Sequence, residues 1–451
     1  MECSVLSWSD RKRRSLPWRV HGVGRLVGVL IAMSLAVPAV SRAAEDELHH
    51  HDQQGAAMIL RVKPAVVGII TEVSAEVTIR CGKEDTYVVK PEPTRENGTG
   101  FLIHPDGWIA TNGHVVEPFF TADEDHVADF LEAAADAACG AALAKLPESE
   151  RKARRHAILT DPVNLNGVQL TKQLEVFLPT VPRPGSQLMR SGGIPAVVKA
   201  YSPPIDPDLL PKGGGQPYPP MLDAAIIKIE RTNLPVVRLA PPGTGVNLGQ
   251  QIFIVGFPGV VLWHDFLSWT TRTEATVTFG HVSSIKDDVN ERLIIQTDAP
   301  ISWGNSGGPA FSLRDEVVGL ATFISTSLEG DQAIQGFNFL IPVDTIHDMV
   351  RQIGLTPKEG SPFMEEWRQA GLAYFAGRYD VALSHLEAAD EIVPGLADVA
   401  HVRNHVQSLL KVRASDAALS RSFGALLLCG LAVVIVAVLI GVRVHQKRSL
   451  S

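Results

Sequence analysis

The stretch that most restricts this chain is Gly304-Asn305-Ser306-Gly307-Gly308-Pro309, which follows closely on Thr297-Asp298-Ala299-Pro300. Glycines let a backbone turn tightly enough for two N–H groups to point at one spot. A serine in such a turn can attack a carbonyl while those N–H groups hold the oxyanion that forms. A short Gly/Ser turn alone would be a loop between strands; the full six-residue string with its closing proline is far more specific. It also places a demand on the rest of the chain. Serine is a weak nucleophile at its own pKa, so it needs an imidazole beside it, and the imidazole needs an acid to set its tautomer.

The chain has 15 histidines, so position must choose among them. Gly100-Phe101-Leu102-Ile103-His104-Pro105-Asp106-Gly107-Trp108-Ile109-Ala110-Thr111-Asn112-Gly113-His114 predicts a strand, a Pro-Asp-Gly turn and a second strand, with His114 at its end. Strand ends and loops are where a scaffold presents reactive groups. For the acid, Asp223 opens the apolar strand Asp223-Ala224-Ala225-Ile226-Ile227-Lys228-Ile229, whereas most other acids between His114 and Ser306 fall in polar or Pro-rich loops. Asp298 is nearer to Ser306 in the chain and is expected to shape the approach to a pocket. The order His, Asp, Ser differs from that of subtilisins and α/β-hydrolases.

Six motifs together resemble the protease domain of the HtrA (DegP-like) family: Gly98-Thr99-Gly100-Phe101, Thr111-Asn112-Gly113-His114-Val115-Val116, Asp223 to Ile229, Thr276-Val277-Thr278-Phe279-Gly280-His281-Val282-Ser283, Gly304 to Pro309, and Gly336-Phe337-Asn338-Phe339-Leu340-Ile341-Pro342. The resemblance runs over residues 58–355. It implies a mainly β fold of two six-stranded antiparallel β-barrels, endopeptidase action on unfolded proteins, and no metal or cofactor. Carried onto this chain, Ser306 becomes the nucleophile, His114 the general base and acid, and Asp223 the orienting acid. The backbone N–H groups of Gly304 and Ser306 become the oxyanion hole. Ile301, Thr322 and Phe323 become the substrate pocket. Pro300 and Ile301 stand where a trypsin-like pocket would carry an acid, so cleavage after small or medium apolar residues is expected. The resemblance also raises a homo-oligomer as an expectation.

The chain departs from the family pattern in four places. Two insertions separate His114 from Asp223: residues 121–157, which read as helical and end in the basic run Arg151-Lys152-Ala153-Arg154-Arg155, and residues 202–221, rich in Pro and Gly. Long loops cost little closure entropy, so the core tolerates both. The basic run is read as a solvated helix face rather than a nucleic-acid patch, because the chain carries a net charge of −8. Trp303 stands where the family usually has proline. An aromatic loop, Val260 to Trp269, is expected either to contact substrate or to pack in the core. No PDZ domain is expected after the protease.

The ends suggest a location. Arg11-Lys12-Arg13-Arg14, an apolar run from Leu26 to Val40 and Ser41-Arg42-Ala43 form a secretory-signal pattern over residues 1–43. Residues 423–442 are apolar, uncharged and long enough to cross a bilayer, and Arg443, Lys447 and Arg448 follow. The expectation is a single-pass membrane protein with a cytoplasmic tail at 443–451 and the protease on the periplasmic or extracellular side. With Cys3 in the signal and Cys429 in the membrane helix, Cys81 and Cys139 are left either as one disulfide or as two thiols. His49-His50-His51-Asp52 is read as a polar tail. Residues 360–412 have helical periodicity, and Gly377, Tyr379, Ala382, Leu386, Ala389 and Pro394 are spaced as in the second helix of a tetratricopeptide repeat. One repeat cannot bury its own faces, so it is expected to pack on the barrel or on another copy. The expected partners are protein or peptide substrates and the membrane, with no nucleic acid. The alternative is a catalytically restrained protease-like scaffold that binds partners through its helical appendage; a third reading is an esterase.

Overall fold

The computed structural model describes residues 55–82, 85–181, 193–204, 221–262, 266–267, 274–288, 291–326 and 333–448. The expected signal at 1–43, the histidine run and most of the Pro/Gly-rich insertion at 202–221 lie outside the described residues.

Strand β1, Val66–Arg80, sets up the first barrel. Its alternating buried and less buried residues follow the period of two that a strand with one apolar face requires. It is long enough to bond on both edges. Strand β2 (Thr86–Val89) and β3 (Thr94–His104) pair with it, β4 (Trp108–Thr111) follows β3, and β5 (Val168–Phe177), β6 (Ile194–Ser202) and β7 (Ala224–Ile229) complete the order β2-β1-β3-β4-β7-β6-β5. Antiparallel pairing of β1 with β5, from Gly68 opposite Phe177 to Val77 opposite Val168, closes six of these strands into a barrel.

The second barrel is built the same way. Strands β8 (Arg238–Leu239), β9 (Gln251–Gly256), β10 (Thr276–Asp287), β11 (Leu293–Thr297), β12 (Pro309–Ser312), β13 (Glu316–Thr326) and β14 (Ala333–Pro342) run in the order β12-β9-β10-β11-β14-β13-β8. Pairing of β12 with β13 closes six of them, and β8 lies parallel to β13 outside the ring. Closure removes the exposed edges that an open sheet would leave. The fold is therefore two closed six-stranded antiparallel barrels with helices added.

The first insertion is helical, as expected. Helices α1 (Asp123–Leu143) and α2 (Glu148–Leu159) lie over the far half of β1. Ala134 and Ala135, both fully buried, let α1 come close to Val73, Val77 and Ile79. Cys81 and Cys139 form a disulfide that ties α1 to the end of β1. The basic run serves this local structure. Arg155 bridges to Glu132 and Asp136 on α1, and Arg154 donates to the Cys81 carbonyl.

Beyond α3 (Asp344–Gln352) the appendage is a helical hairpin, α4 (Pro362–Phe375) and α5 (Tyr379–Ile392), followed by α6 (Ala397–Arg448). Its apolar face packs on the barrels rather than standing free. Phe363, Trp367, Ala382, Leu386 and Val399 belong to the same buried cluster as the barrel interiors. The Trp367 indole donates to the Leu60 carbonyl at 2.7 Å, and Lys63 pairs with buried Asp398 at 3.0 Å. The apolar stretch 423–442 lies within α6, and the side chains of much of it are outside those described. Among the described residues no helix is long and apolar enough to cross a membrane, so the expected transmembrane helix is not borne out by the fold.

Candidate active site

The site forms where the first barrel hands its histidine to the second barrel's serine turn. Strand β4 ends at Thr111, and a single helical turn, Gly113–Val116, aims His114 outwards from the barrel wall. Asp223 precedes β7 and is 4% exposed. Its φ is 45°, a left-handed conformation uncommon for a residue other than glycine. Two bonds hold this backbone: the Asp223 N–H donates to the Pro203 carbonyl, and the Asn112 amide donates to the Asp223 carbonyl at 2.9 Å.

The conformation turns the Asp223 carboxylate onto His114. Imidazole Nδ1 lies 2.9 and 3.0 Å from the two carboxylate oxygens, and the His114 backbone N–H donates to one of them at 2.9 Å. The Thr322 hydroxyl donates to the other. A carboxylate accepting from Nδ1–H leaves Nε2 as the basic nitrogen. Burial pulls the His114 imidazole towards its neutral form, but the hydrogen bond and charge of Asp223, with Glu96 and Glu117 adding to them, outweigh it and raise the pKa above the ordinary histidine value. Burial raises the Glu96 carboxyl against the pull of His114. Nearby Tyr201, stacked on Phe120, is pushed up to about 12 by burial, then by Glu117 and Asp223.

Ser306 occupies a turn with Gly304 at φ 93° and Gly307 at φ 81°. Both need glycine for a second reason. A Cβ on Gly304 would come 2.5 Å from the Phe257 carbonyl, and one on Gly307 would come 2.2 Å from the Thr99 carbonyl. The neighbouring N–H groups are spoken for: Asn305 donates to Ser302, Gly307 to Ala321 and Gly308 to Asn305. Among the described residues, the N–H groups of Gly304 and Ser306 have no protein acceptor. They are the two proposed as oxyanion donors. Trp303 is 68% exposed, and its carbonyl accepts from the Gly259 N–H at 2.7 Å.

The Ser306 hydroxyl donates to the Thr322 carbonyl at 3.1 Å, and no hydrogen bond joins it to His114 among the described residues. Thr322 thus touches both ends of the candidate triad, through its hydroxyl at Asp223 and its carbonyl at Ser306. Thr322 was expected at the substrate pocket; it is 2% exposed, and its hydroxyl is bonded to Asp223. Ile301 is buried in the core beside the turn, and the Phe323 side chain lies outside those described. Asp298 accepts from the His281 backbone N–H on β10. Among the described residues no cluster of histidine, cysteine and carboxylate side chains is arranged to hold a metal. Thr99 was legible only as part of a motif, yet it bonds to both barrels. No periodicity or charge signal marks a small buried threonine of this kind.

Two closed six-stranded antiparallel barrels, meeting at a glycine-lined serine turn, define the trypsin-like peptidase class. The sequence matches the family described as trypsin-like peptidase domain over residues 184–320, a span that includes Asp223 and Ser306. It is 35% identical over 151 residues to a probable periplasmic serine endoprotease DegP-like from Pseudomonas fluorescens, covering 33% of this chain and 28% of that protein. It is 29% identical over 151 residues to a putative serine protease HhoB from Synechocystis, covering 32% of each. Among solved structures, a serine endoprotease from Yersinia pestis is similar with a TM-score of 0.34 at 18% identity, over 66% of this chain and 65% of that one. The chain thus carries a trypsin-like peptidase domain similar to part of these serine proteases, and it spans about a third or less of the length of these curated relatives.

Proposed function

We propose that this chain is an HtrA-like serine endopeptidase of the cell envelope that cleaves unfolded or regulatory proteins, preferring small or medium apolar residues before the cut. The observation that carries the reading is the buried Asp223 carboxylate bonded to His114 Nδ1, beside a Ser306 turn with two unbonded backbone donors. In this reading His114 takes the Ser306 proton as general base and returns it to the leaving amine. Asp223 holds the tautomer and offsets the imidazolium charge, and the N–H groups of Gly304 and Ser306 stabilise the oxyanion. The buried apolar Ile301 beside the turn supports the apolar preference. The similarity to probable periplasmic DegP-like endoproteases supports the periplasmic side of an envelope. Attachment to the membrane through residues 423–442 rests on sequence alone: the run has no charge and three basic residues follow it. Assembly into a homo-oligomer belongs to the same proposal.

The test is labelling by a fluorophosphonate probe together with hydrolysis of an unfolded protein. Both are expected in the wild-type chain and absent in Ser306→Ala; a folded wild-type protein that neither labels nor cleaves sinks the proposal. Retention in the pellet after alkaline carbonate extraction, lost on truncation before residue 423, checks the membrane attachment. One observation favours the restrained scaffold as second reading: the Ser306 hydroxyl is engaged by the Thr322 carbonyl and not by His114. Labelling that appears only when a peptide or partner is added would support it.

A further inference from the structure

Thr99 lies on β3 of the first barrel and is fully buried. Its side-chain oxygen makes two bonds into the second barrel. It accepts from the Phe257 N–H at 2.9 Å and donates to the Gly304 carbonyl at 2.7 Å. Its backbone extends the connection: the Thr99 N–H donates to the Ser306 carbonyl at 2.8 Å, and its carbonyl accepts from the Thr111 hydroxyl at 2.7 Å. The turn lies so close against this strand that Gly307 has no room for a methyl group between it and Thr99.

We propose that Thr99 is a positioning residue that locks the oxyanion turn of the second barrel in register with the histidine of the first. The proposal rests on the proteolytic reading above. Its physical content is directional. The Ser306 N–H lies between the Gly304 and Ser306 carbonyls along the chain, so fixing both carbonyls on Thr99 fixes which way that N–H points, while the Gly304 N–H adjoins the Trp303 carbonyl that the Gly259 N–H holds. A hydroxyl is suited to this, because one oxygen can accept from one barrel segment and donate to another at the same time. Both partners are main-chain groups at a barrel junction, and leaving either unbonded in a buried place is unfavourable. The geometry is therefore held whether or not substrate is present, which is what a preorganised oxyanion site requires.

The variants are Thr99→Val, which keeps the shape and removes both hydroxyl bonds, and Thr99→Ser, which keeps them. Thr99→Val is expected to lower kcat on an unfolded protein substrate by about ten- to a hundredfold with KM changed less than about threefold, a smaller loss than the ~10²–10³-fold typical of deleting an oxyanion donor outright. Thr99→Ser is expected to restore kcat to within about threefold of wild type. A Thr99→Val protein that folds and keeps kcat within about twofold overturns the proposal. Native-state hydrogen exchange decides it independently of activity. In the wild-type chain the Phe257, Gly307 and Gly308 amides are expected to exchange through one common opening, and in Thr99→Val the amides of 304–308 are expected to exchange at least about tenfold faster while the β1 and β10 amides hold. Exchange of Phe257 uncoupled from the turn in the wild type overturns the proposal even if Thr99→Val does not fold. If Ser306→Ala still cleaves, the proteolytic reading fails instead, and the exchange result alone judges Thr99.

Discussion

Replacing Asp223 by asparagine isolates what the carboxylate does for the histidine. Three donors converge on it: the His114 backbone N–H, the Thr322 hydroxyl and imidazole Nδ1–H. An asparagine oxygen at the Oδ1 position can still accept from the His114 backbone N–H, but the amide nitrogen then stands at the Oδ2 position, where the Thr322 hydroxyl must turn to accept from it. That nitrogen also faces Nδ1 and can only donate, so Nδ1 must become the acceptor and the proton moves to Nε2. A protonated Nε2 cannot take a proton from Ser306. The backbone should tolerate the change, because asparagine is among the residues enriched at positive φ and Asp223 sits at 45°. Folding should therefore survive while catalysis collapses. The expected loss in kcat/KM near neutral pH is about 10⁴-fold, the size seen when this tautomer is inverted in a serine protease. That corresponds to about 5 kcal/mol of transition-state stabilisation. The assay is the rate of fluorophosphonate labelling and of peptide hydrolysis, with thermal unfolding as the folding control. An Asp223→Asn protein that folds and retains more than about a tenth of wild-type kcat/KM would refute the reasoning by showing that Nδ1 keeps its proton without the carboxylate.

The remaining expectations follow from separate parts of the structure. The acid limb of the kcat/KM profile should lie above about 6.5, the ordinary histidine value, because Asp223, Glu96 and Glu117 raise His114; Glu96→Gln should move the limb to lower pH. The stability contributed by protonated His114 has the opposite sense: it is complete below about 6.5 and fades as pH rises through the folded-state value, read from urea midpoints across that range. Gly307→Ala should abolish labelling, because its Cβ would fall 2.2 Å from the Thr99 carbonyl at φ 81°; a variant that labels at the wild-type rate would show that the turn can relax. Replacing both Cys81 and Cys139 with serine should cost about 4 kcal/mol, the chain-entropy value for a crosslink across 58 residues, and lower the thermal midpoint. Labelling at 25 °C should be unchanged, since the bridge ties α1 to β1 rather than touching the serine turn.

Much of this protein was legible in order along the chain. The Gly304 to Pro309 string marks a turn that only glycine can make, the Pro-Asp-Gly turn marks a hairpin ending at His114, and alternation in β1 marks a strand with one buried face. These are local signals, because φ preference and side-chain period act within a few residues. The helices of the first insertion were legible for the same reason, but whether Cys81 and Cys139 would be joined was not. Spacing allowed a disulfide, but only the approach of α1 to the end of β1 brings the sulfurs together.

The tertiary structure alone decided how the barrels meet. The sequence named Asp223 beside an apolar strand, but not the left-handed backbone that turns its carboxylate onto His114, which depends on Asn112 and Pro203 from elsewhere in the chain. It suggested Thr322 as a pocket residue, but not that its buried hydroxyl would donate to Asp223. It marked Thr99 only as a letter in a motif, whereas closure of both barrels makes it a bond between them. The reason is the same in each case. A residue type and its local conformation are written in its neighbours along the chain, but a hydrogen bond between residues 205 positions apart exists only once two barrels have closed around it.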